Sequence, residues 1–403
     1  MMRRAWLLCL SAFAVCPSWV LAQDVDLHAY IDGRLVAAPG ETSWTQGGLG
    51  KTRFGDGGTA ARFGGAGVVG TAQLTPALLA LAEIQFQTTD RSSVNVIEAY
   101  LRYRPVSLSR WRWSVQAGAF MPPVSLENDA IGWTSPWTLT PSAINSWVGE
   151  ELRAAGAEGR LEWRGDVSTW ELRSALFRRN DPAGNLLAVR GWSLSDLTYG
   201  LGGRLREPDA THDGQSSARR YDPFQNIGSR SGWYANLEWH APGLGRINLM
   251  RYDNRADPAA HTDSGVFAWH TWFTSIGGST DTGPIRWIAQ AMDGATVIEP
   301  VDGLRFTTGF RSAFLLAGWN RGNWRPALRI EHFSTGNGRF DAGRRQGEHG
   351  NAVTAALNWR PRAWLRLTAE VLRIDSVRTQ RGDAGLPPAS MVTQVQLGIR
   401  LLY

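Results

Sequence analysis

From Met391 to Tyr403 the chain alternates without interruption. One face reads Met391, Thr393, Val395, Leu397, Ile399, Leu401, Tyr403, and the other Val392, Gln394, Gln396, Gly398, Arg400, Leu402. A period of two marks a strand with one apolar face. Soluble strands average about 5–6 residues, whereas a tilted strand crossing a bilayer needs about 9–11. This stretch is long enough to cross, so the chain is constrained to all-β structure with an apolar outside.

The pattern recurs upstream. Leu365, Leu367, Ala369 and Val371 alternate with Arg366, Thr368 and Glu370; Val353, Ala355, Leu357 and Trp359 with Thr354, Ala356 and Asn358. Trp324, Leu328 and Ile330 alternate with Arg325, Arg329 and Glu331, and Leu101 and Tyr103 with Arg102 and Arg104. In 304–316 the apolar set is Phe306, Phe310, Phe314 and Leu316, which leaves Arg305, Thr307 and Arg311 for the other face. Lipid requires an apolar exterior, and closure pairs every backbone donor and acceptor. Tryptophans 113, 163, 170, 239, 324, 359 and 364 fall near strand ends, where interface girdles sit. Tight connections near 75–76, 105–110, 165–166, 241–245, 321–323 and 361–362 alternate with long polar ones at 37–58, 121–149, 179–230, 334–350 and 377–390. Short periplasmic turns and long outer loops are the barrel arrangement. The expected fold is a closed antiparallel transmembrane β-barrel of about sixteen strands. If 197–206 is a strand, the count rises to eighteen.

The start of the chain agrees with export. Arg3 and Arg4 precede an apolar run ending near Ala22, which reads as a secretory signal at 1–22 followed by the barrel at 23–403. Both cysteines, Cys9 and Cys16, fall within that signal, so the mature chain has no disulfide or thiolate chemistry. Without Arg3 and Arg4 there are 40 basic against 36 acidic residues, with no basic run of the kind nucleic acid requires.

Several motifs do not carry chemistry. Gly48-Leu49-Gly50-Lys51-Thr52 resembles the end of a phosphate loop, but Thr45 stands where the first glycine belongs. Gly228 to Gly232 has Arg230 where a nucleophile elbow needs serine. The histidines show no metal-ligand spacing, and Asp253, Asp257 and Asp263 do not match a calcium loop. No metal or cofactor is expected. His240 and His270 are candidate rim histidines for a barrel enzyme, but neither has an evident nucleophile.

The segment 121–152 stands apart. Glu127, Asp129, Trp133 and Trp137 precede Thr140-Pro141, a helix start with Thr140 as N-cap. Ile144, Trp147 and Val148 follow at helical spacing. As the loop after the fifth strand, it resembles the third outer loop of trimeric porins, which folds inward and narrows the channel. The chain as a whole resembles Gram-negative sixteen-stranded porins. The stretch TLTPSAINSWVGEELR (138–153), after Gly118-Ala119-Phe120, loosely resembles the phosphate-selective porin O and P superfamily, although only Lys51 is a lysine. The resemblance implies an outer-membrane location, a homotrimer, contact with outer-membrane lipid, and recognition of terminal Tyr403 by the barrel-assembly machinery. It also implies a constriction formed by Glu127, Asp129, Trp133, Trp137 and Trp147.

Pore-lining candidates are the arginines on the expected inner face: Arg102, Arg104, Arg112, Arg160, Arg173, Arg311, Arg325, Arg329 and Arg366. Glu98, Glu158, Glu162, Glu171, Glu331 and Glu370 share that face and pair with many of them across strands. The expected function is a water-filled porin passing small hydrophilic solutes, with a weak preference for anions. Two alternatives remain: another membrane barrel, such as a rim enzyme or a hydrophobic-solute channel, and a secreted soluble all-β binding protein.

Overall fold

The computed structural model describes residues 24–55, 57–87, 94–209, 220–337 and 347–403. The expected signal at 1–22 lies outside them. Among the described residues, sixteen strands close into one antiparallel barrel. They are β1 (Asp24–Ala37), β2 (Thr59–Thr75), β3 (Leu78–Phe86), β4 (Val94–Tyr103), β5 (Trp111–Phe120), β6 (Ala154–Arg164), β7 (Thr169–Arg178) and β8 (Gly232–Ala241). The circuit continues with β9 (Gly245–Asp253), β10 (His270–Thr282), β11 (Ile285–Val301), β12 (Leu304–Trp319), β13 (Trp324–Asn337), β14 (Gly347–Arg362), β15 (Leu365–Arg378) and β16 (Ala389–Leu402). β1 closes on β16, with Tyr30 opposite Leu402. The eighteen-strand alternative fails. Within 197–206 only Leu205–Arg206 is extended, and it pairs with Arg220–Tyr221 in a separate two-stranded ribbon.

The alternation of β16 sets the pattern of the wall. Val395, Leu397, Ile399 and Leu401 are exposed on the outside, while Gln394, Gln396 and Arg400 are buried inside. On β11 to β16 the outward apolar residues run from the periplasmic end up to Ala291, Ala313, Ile330, Val353, Val371 and Val395. The next outward position on each strand is polar: Asp293, Arg311, His332, Asn351, Arg373 and Thr393. Each run is seven residues long, which when tilted spans roughly 18 Å, within the apolar band such barrels present to lipid. At its lower edge stand exposed Trp111, Trp113, Trp170, Trp319, Trp324, Trp359 and Trp364, with Trp324 stacked on Trp359 at 5.5 Å.

Strand length is uneven around the circuit. β3 to β9 have 9–11 residues, whereas β10 to β16 and β1 and β2 have 13–17. One side of the wall is therefore taller than the other. The two longest connections, 121–153 and 179–231, both leave from the low side.

The inner face departs from the expectation on β12. Phe310, Phe314 and Leu316 are buried inside, and Arg311 points outward, where it pairs with Asp293. Arg311 is thus not in the lumen. The rule that apolar residues face lipid fails here because the inner face of β12 also packs against protein. The same holds for Tyr234, Tyr252, Phe273, Phe333 and Leu372 on neighbouring strands, so much of the lumen wall from β8 to β15 is the wall of a hydrophobic core.

Candidate channel interior

Segment 121–153 descends into the barrel and bonds to inward side chains on the opposite wall. Gln290 of β11 donates to the Val124 carbonyl at 2.7 Å, and Arg246 of β9 to the Leu126 carbonyl at 3.0 Å. Asn358 of β14 donates to the Trp137 carbonyl at 2.6 Å, and Arg366 of β15 to the Ser135 carbonyl at 2.9 Å. The Thr140 N–H donates to Glu370 of β15 at 3.1 Å. A loop with no ladder of its own has its backbone satisfied in this way by side chains of the wall.

The helix α1 spans Ala143–Glu151. Its N-cap is Ser142, whose hydroxyl accepts from the Asn145 N–H, and not Thr140. Thr140 is held outside the helix because its N–H is bound to Glu370 and its carbonyl accepts from Arg329 at 2.9 Å. The Ser142 N–H donates to Glu127 at 2.9 Å and the Ala143 N–H to Glu331 at 2.8 Å. Two carboxylates therefore satisfy the positive end of the helix. Arg329 lies between them, paired with Glu127 and, at 3.0 Å, with Glu331; all three side chains are fully buried. At the other end of α1, Arg153 donates to the Leu152 and Tyr199 carbonyls, a cation at a helix C-terminus.

Every residue of α1 is buried. Trp147 meets Trp192, Phe273 and Phe310 at ring distances of 6.2, 5.6 and 5.2 Å. Glu151 has no ion-pair partner among the described residues but accepts from Trp147 Nε1, Tyr221 Oη and the N–H groups of Gly184 and Leu186.

A second segment, 180–199, also enters, although it was expected to belong wholly to an outer loop. It carries the short helix α2 (Asn185–Val189). Arg190 pairs with Glu150 of α1 at 2.7 Å, and the Ser195 N–H donates to Ser146 at 2.9 Å. Trp192 donates from Nε1 to the Ser334 carbonyl and from its backbone N–H to Glu348 of β14. Asp196 pairs with Arg34 of β1 at 2.7 Å and with Arg53 at 3.1 Å. The connection after β1 adds Lys51, buried on Glu348 and on the Trp192 carbonyl at 2.9 Å. The lysine of the phosphate-loop lookalike is thus an anchor. Sequence reading missed Glu151, Arg190, Trp192, Asp196 and Glu348. The signal was present in Ala183, Leu186, Leu187 and Trp192, apolar residues inside a connection read as polar.

Burial disfavours ionised Asp196, yet Arg34 and Arg53 hold its carboxyl below the ordinary 3.8. A depressed carboxyl stabilises the folded form above its unfolded value, and that contribution is lost as pH falls through the folded one. Acidification below pH 3.8 should therefore loosen 180–199 from β1. Limited proteolysis from the outer side at pH 3 and pH 6 checks this: cleavage within 180–199 should appear only at the lower pH.

The opposite wall is different. Arg102, Arg112, Arg160 and Arg173 project inward from β4 to β7 and are only half buried, and Arg104 is exposed at the mouth. Arg160 pairs with Glu162 and Glu171, and Arg173 with Glu171. A vestibule of about 470 Å³ is lined by Arg160, Glu162, Arg164, Glu171, Glu238 and His240. A recess of about 520 Å³ on the outer side is lined in part by Arg53, Arg62, Arg204, Arg206 and Tyr199. Of the expected inner-face arginines, Arg329 and Arg366 are buried as anchors and Arg325 is half buried near Trp137. Of the constriction candidates, Glu127, Trp137 and Trp147 are buried, Asp129 is exposed and Trp133 is partly buried. His270 is bonded to Asp253 at 3.0 Å. Among the described residues, no group of three or more His, Cys, Asp or Glu is placed to hold a metal.

Comparison with solved structures finds the same architecture. The chain is similar to the outer membrane channel DcaP of Acinetobacter baumannii, at 12% identity over 94% of this chain and 97% of that one, with a TM-score of 0.55. A loop L8 deletion mutant of OmpT, an outer membrane protein of Vibrio cholerae, aligns over 95% of this chain and 100% of that one at 9% identity, with a TM-score of 0.53. An anion-selective porin from Comamonas acidovorans aligns over 94% and 99% at 13% identity, with a TM-score of 0.50. No protein-family model matches the chain, and no curated sequence does. At these identities the likeness speaks for the fold, a closed sixteen-stranded barrel of the outer-membrane porin type. The apolar belt and tryptophan girdle put that barrel in a membrane, as in its Gram-negative outer-membrane neighbours.

Proposed function

We propose that the protein is a passive outer-membrane channel for small hydrophilic solutes, with a narrow water path and a weak preference for anions. The observation that carries this reading is the division of the lumen. One wall, from β8 to β15, is packed against inserted segments. The other, from β4 to β7, keeps Arg102, Arg112, Arg160 and Arg173 partly open to water. Fixed charges beside a narrow path bias which ions enter, and low-dielectric walls focus their field. Asp129 and Trp133, the least buried of the five constriction candidates, face that path in this reading, while Glu127, Trp137 and Trp147 hold the segment in place. Glu162 and Glu171 neutralise part of the arginine charge, which keeps the preference weak. His240 and His270 have no catalytic role here. In the same reading, residues 1–22 are an export signal, Tyr403 is read by the barrel-assembly machinery, and the barrel works as a homotrimer in outer-membrane lipid.

Planar-bilayer recording in a salt gradient tests this. The wild type should conduct with a small reversal potential of anionic sign. Replacing Arg112 and Arg160 together by alanine should move that potential toward zero, whereas Arg311→Ala, on the outer surface, should not. A cationic reversal potential in the wild type would remove the anion preference, and silence from folded protein would remove the channel.

A further inference from the structure

At the periplasmic end of β13 to β16, four arginines stand on consecutive strands of the lumen face: Arg325, Arg360, Arg366 and Arg400. Arg366 and Arg400 are direct cross-strand partners. Arg325 lies opposite Asn358, two residues before Arg360, and Trp359 lies opposite Leu367, beside Arg366. Like charges set side by side across strands are destabilising, so an uncompensated run of this kind calls for a counter-charge.

The protein supplies little. Among the described residues, Asp32 is the one carboxylate within ion-pair distance of any of the four, at 2.8 Å from Arg400, and Asp32 is shared with Arg34. Arg366 is occupied, donating to Asn358 at 2.7 Å and to the Ser135 carbonyl at 2.9 Å. The guanidinium of Arg325 lies over the Trp137 ring, at 5.8 Å. Arg400 donates from its terminal nitrogens to Thr134 Oγ1 at 2.9 Å and to Asp32 at 2.8 Å, but among the described residues Nε of Arg360 and Nε of Arg400 are buried without an acceptor, and Arg400 is only 6% exposed. Buried donors of this strength are normally satisfied.

We propose that Arg325, Arg360 and Arg400 form a binding site for a small oxyanion, a carboxylate or a phosphate group, at the periplasmic mouth. Guanidinium forks match the paired oxygens of such groups. The site rests on the channel reading only for its supply of solute. Binding itself does not require conduction.

Calorimetric titration of the detergent-folded protein with inorganic phosphate and with acetate, at constant ionic strength, tests it. The wild type should show saturable binding of at least one of the two. The double variant Arg325→Gln/Arg360→Gln should lose about tenfold or more in affinity, as expected for two charge-assisted hydrogen-bond donors. Arg311→Gln should bind as the wild type does. Heat-modifiable migration establishes that each variant has folded. No saturable binding by the wild type, or undiminished binding by the folded double variant, would overturn the site. Conductance without binding would do the same while leaving the channel intact, and binding without conductance would remove the channel and leave the site.

Discussion

Arg329→Ala is expected to release the inserted segment from the wall and to raise single-channel conductance. Arg329 is fully buried between Glu127 and Glu331 and also donates to the Thr140 carbonyl. Truncating it leaves two buried carboxylates, at the start of α1, without their cation. Breaking a buried pair from one side costs about 3–5 kcal/mol, because the remaining charge is uncompensated. That is on the order of a hundredfold to several thousandfold in the docked-to-undocked ratio. The strands do not depend on this pair, so the barrel should still show heat-modifiable migration. Conductance should rise, and protease should cut within 121–153. Adding Glu127→Gln should recover part of the loss, and the double-mutant cycle measures the coupling. A folded Arg329→Ala barrel with wild-type conductance and protease resistance would show that the pair does not hold the segment.

Replacing residues 122–151 by a short Gly-Ser linker should have a larger effect. The ladder between β5 and β6, from Trp111 opposite Trp163 to Phe120 opposite Ala154, lies outside the deletion. Closure is therefore expected to survive, with conductance several times that of the wild type. Stability should fall, because Phe273, Phe310 and Phe314 lose the surface that buries them. Uncovering one large aromatic side chain costs roughly 1.5–3 kcal/mol, and several are uncovered together. The paired measurement is conductance against thermal unfolding. An unchanged conductance would mean that 121–153 does not restrict the path.

Much of the wall was legible in the sequence because lipid imposes a rule that a single strand obeys. Leu397 and Ile399 face out and Gln394 and Gln396 face in for the reason their alternation suggests. The strand count followed from the rhythm of short and long connections. β12 was misread because its inner face is as apolar as a lipid-facing one. Phe310 and Phe314 need α1 and Trp192 beside them, and a period of two does not say which side holds lipid and which holds protein. The start of α1 was placed two residues early because Thr140-Pro141 is a good local start, and the competing bonds to Glu370 and Arg329 come from strands more than 180 residues away. The second inserted segment was missed for a similar reason. Its anchors Asp196 and Trp192 acquire meaning only beside Arg34 and Glu348, which are remote in the chain.

The uneven height of the wall has a mechanical consequence. Both inserted segments are rooted on the short side, β5 to β8, and lean against the tall side, where Arg329, Arg366, Glu348 and Glu370 receive them. The assembly is a trapdoor with its hinge on the low sill and its latches on the high jamb. In the channel reading, a solute arriving from outside would come over the low sill, past the roots of the inserted segments and away from their fastenings.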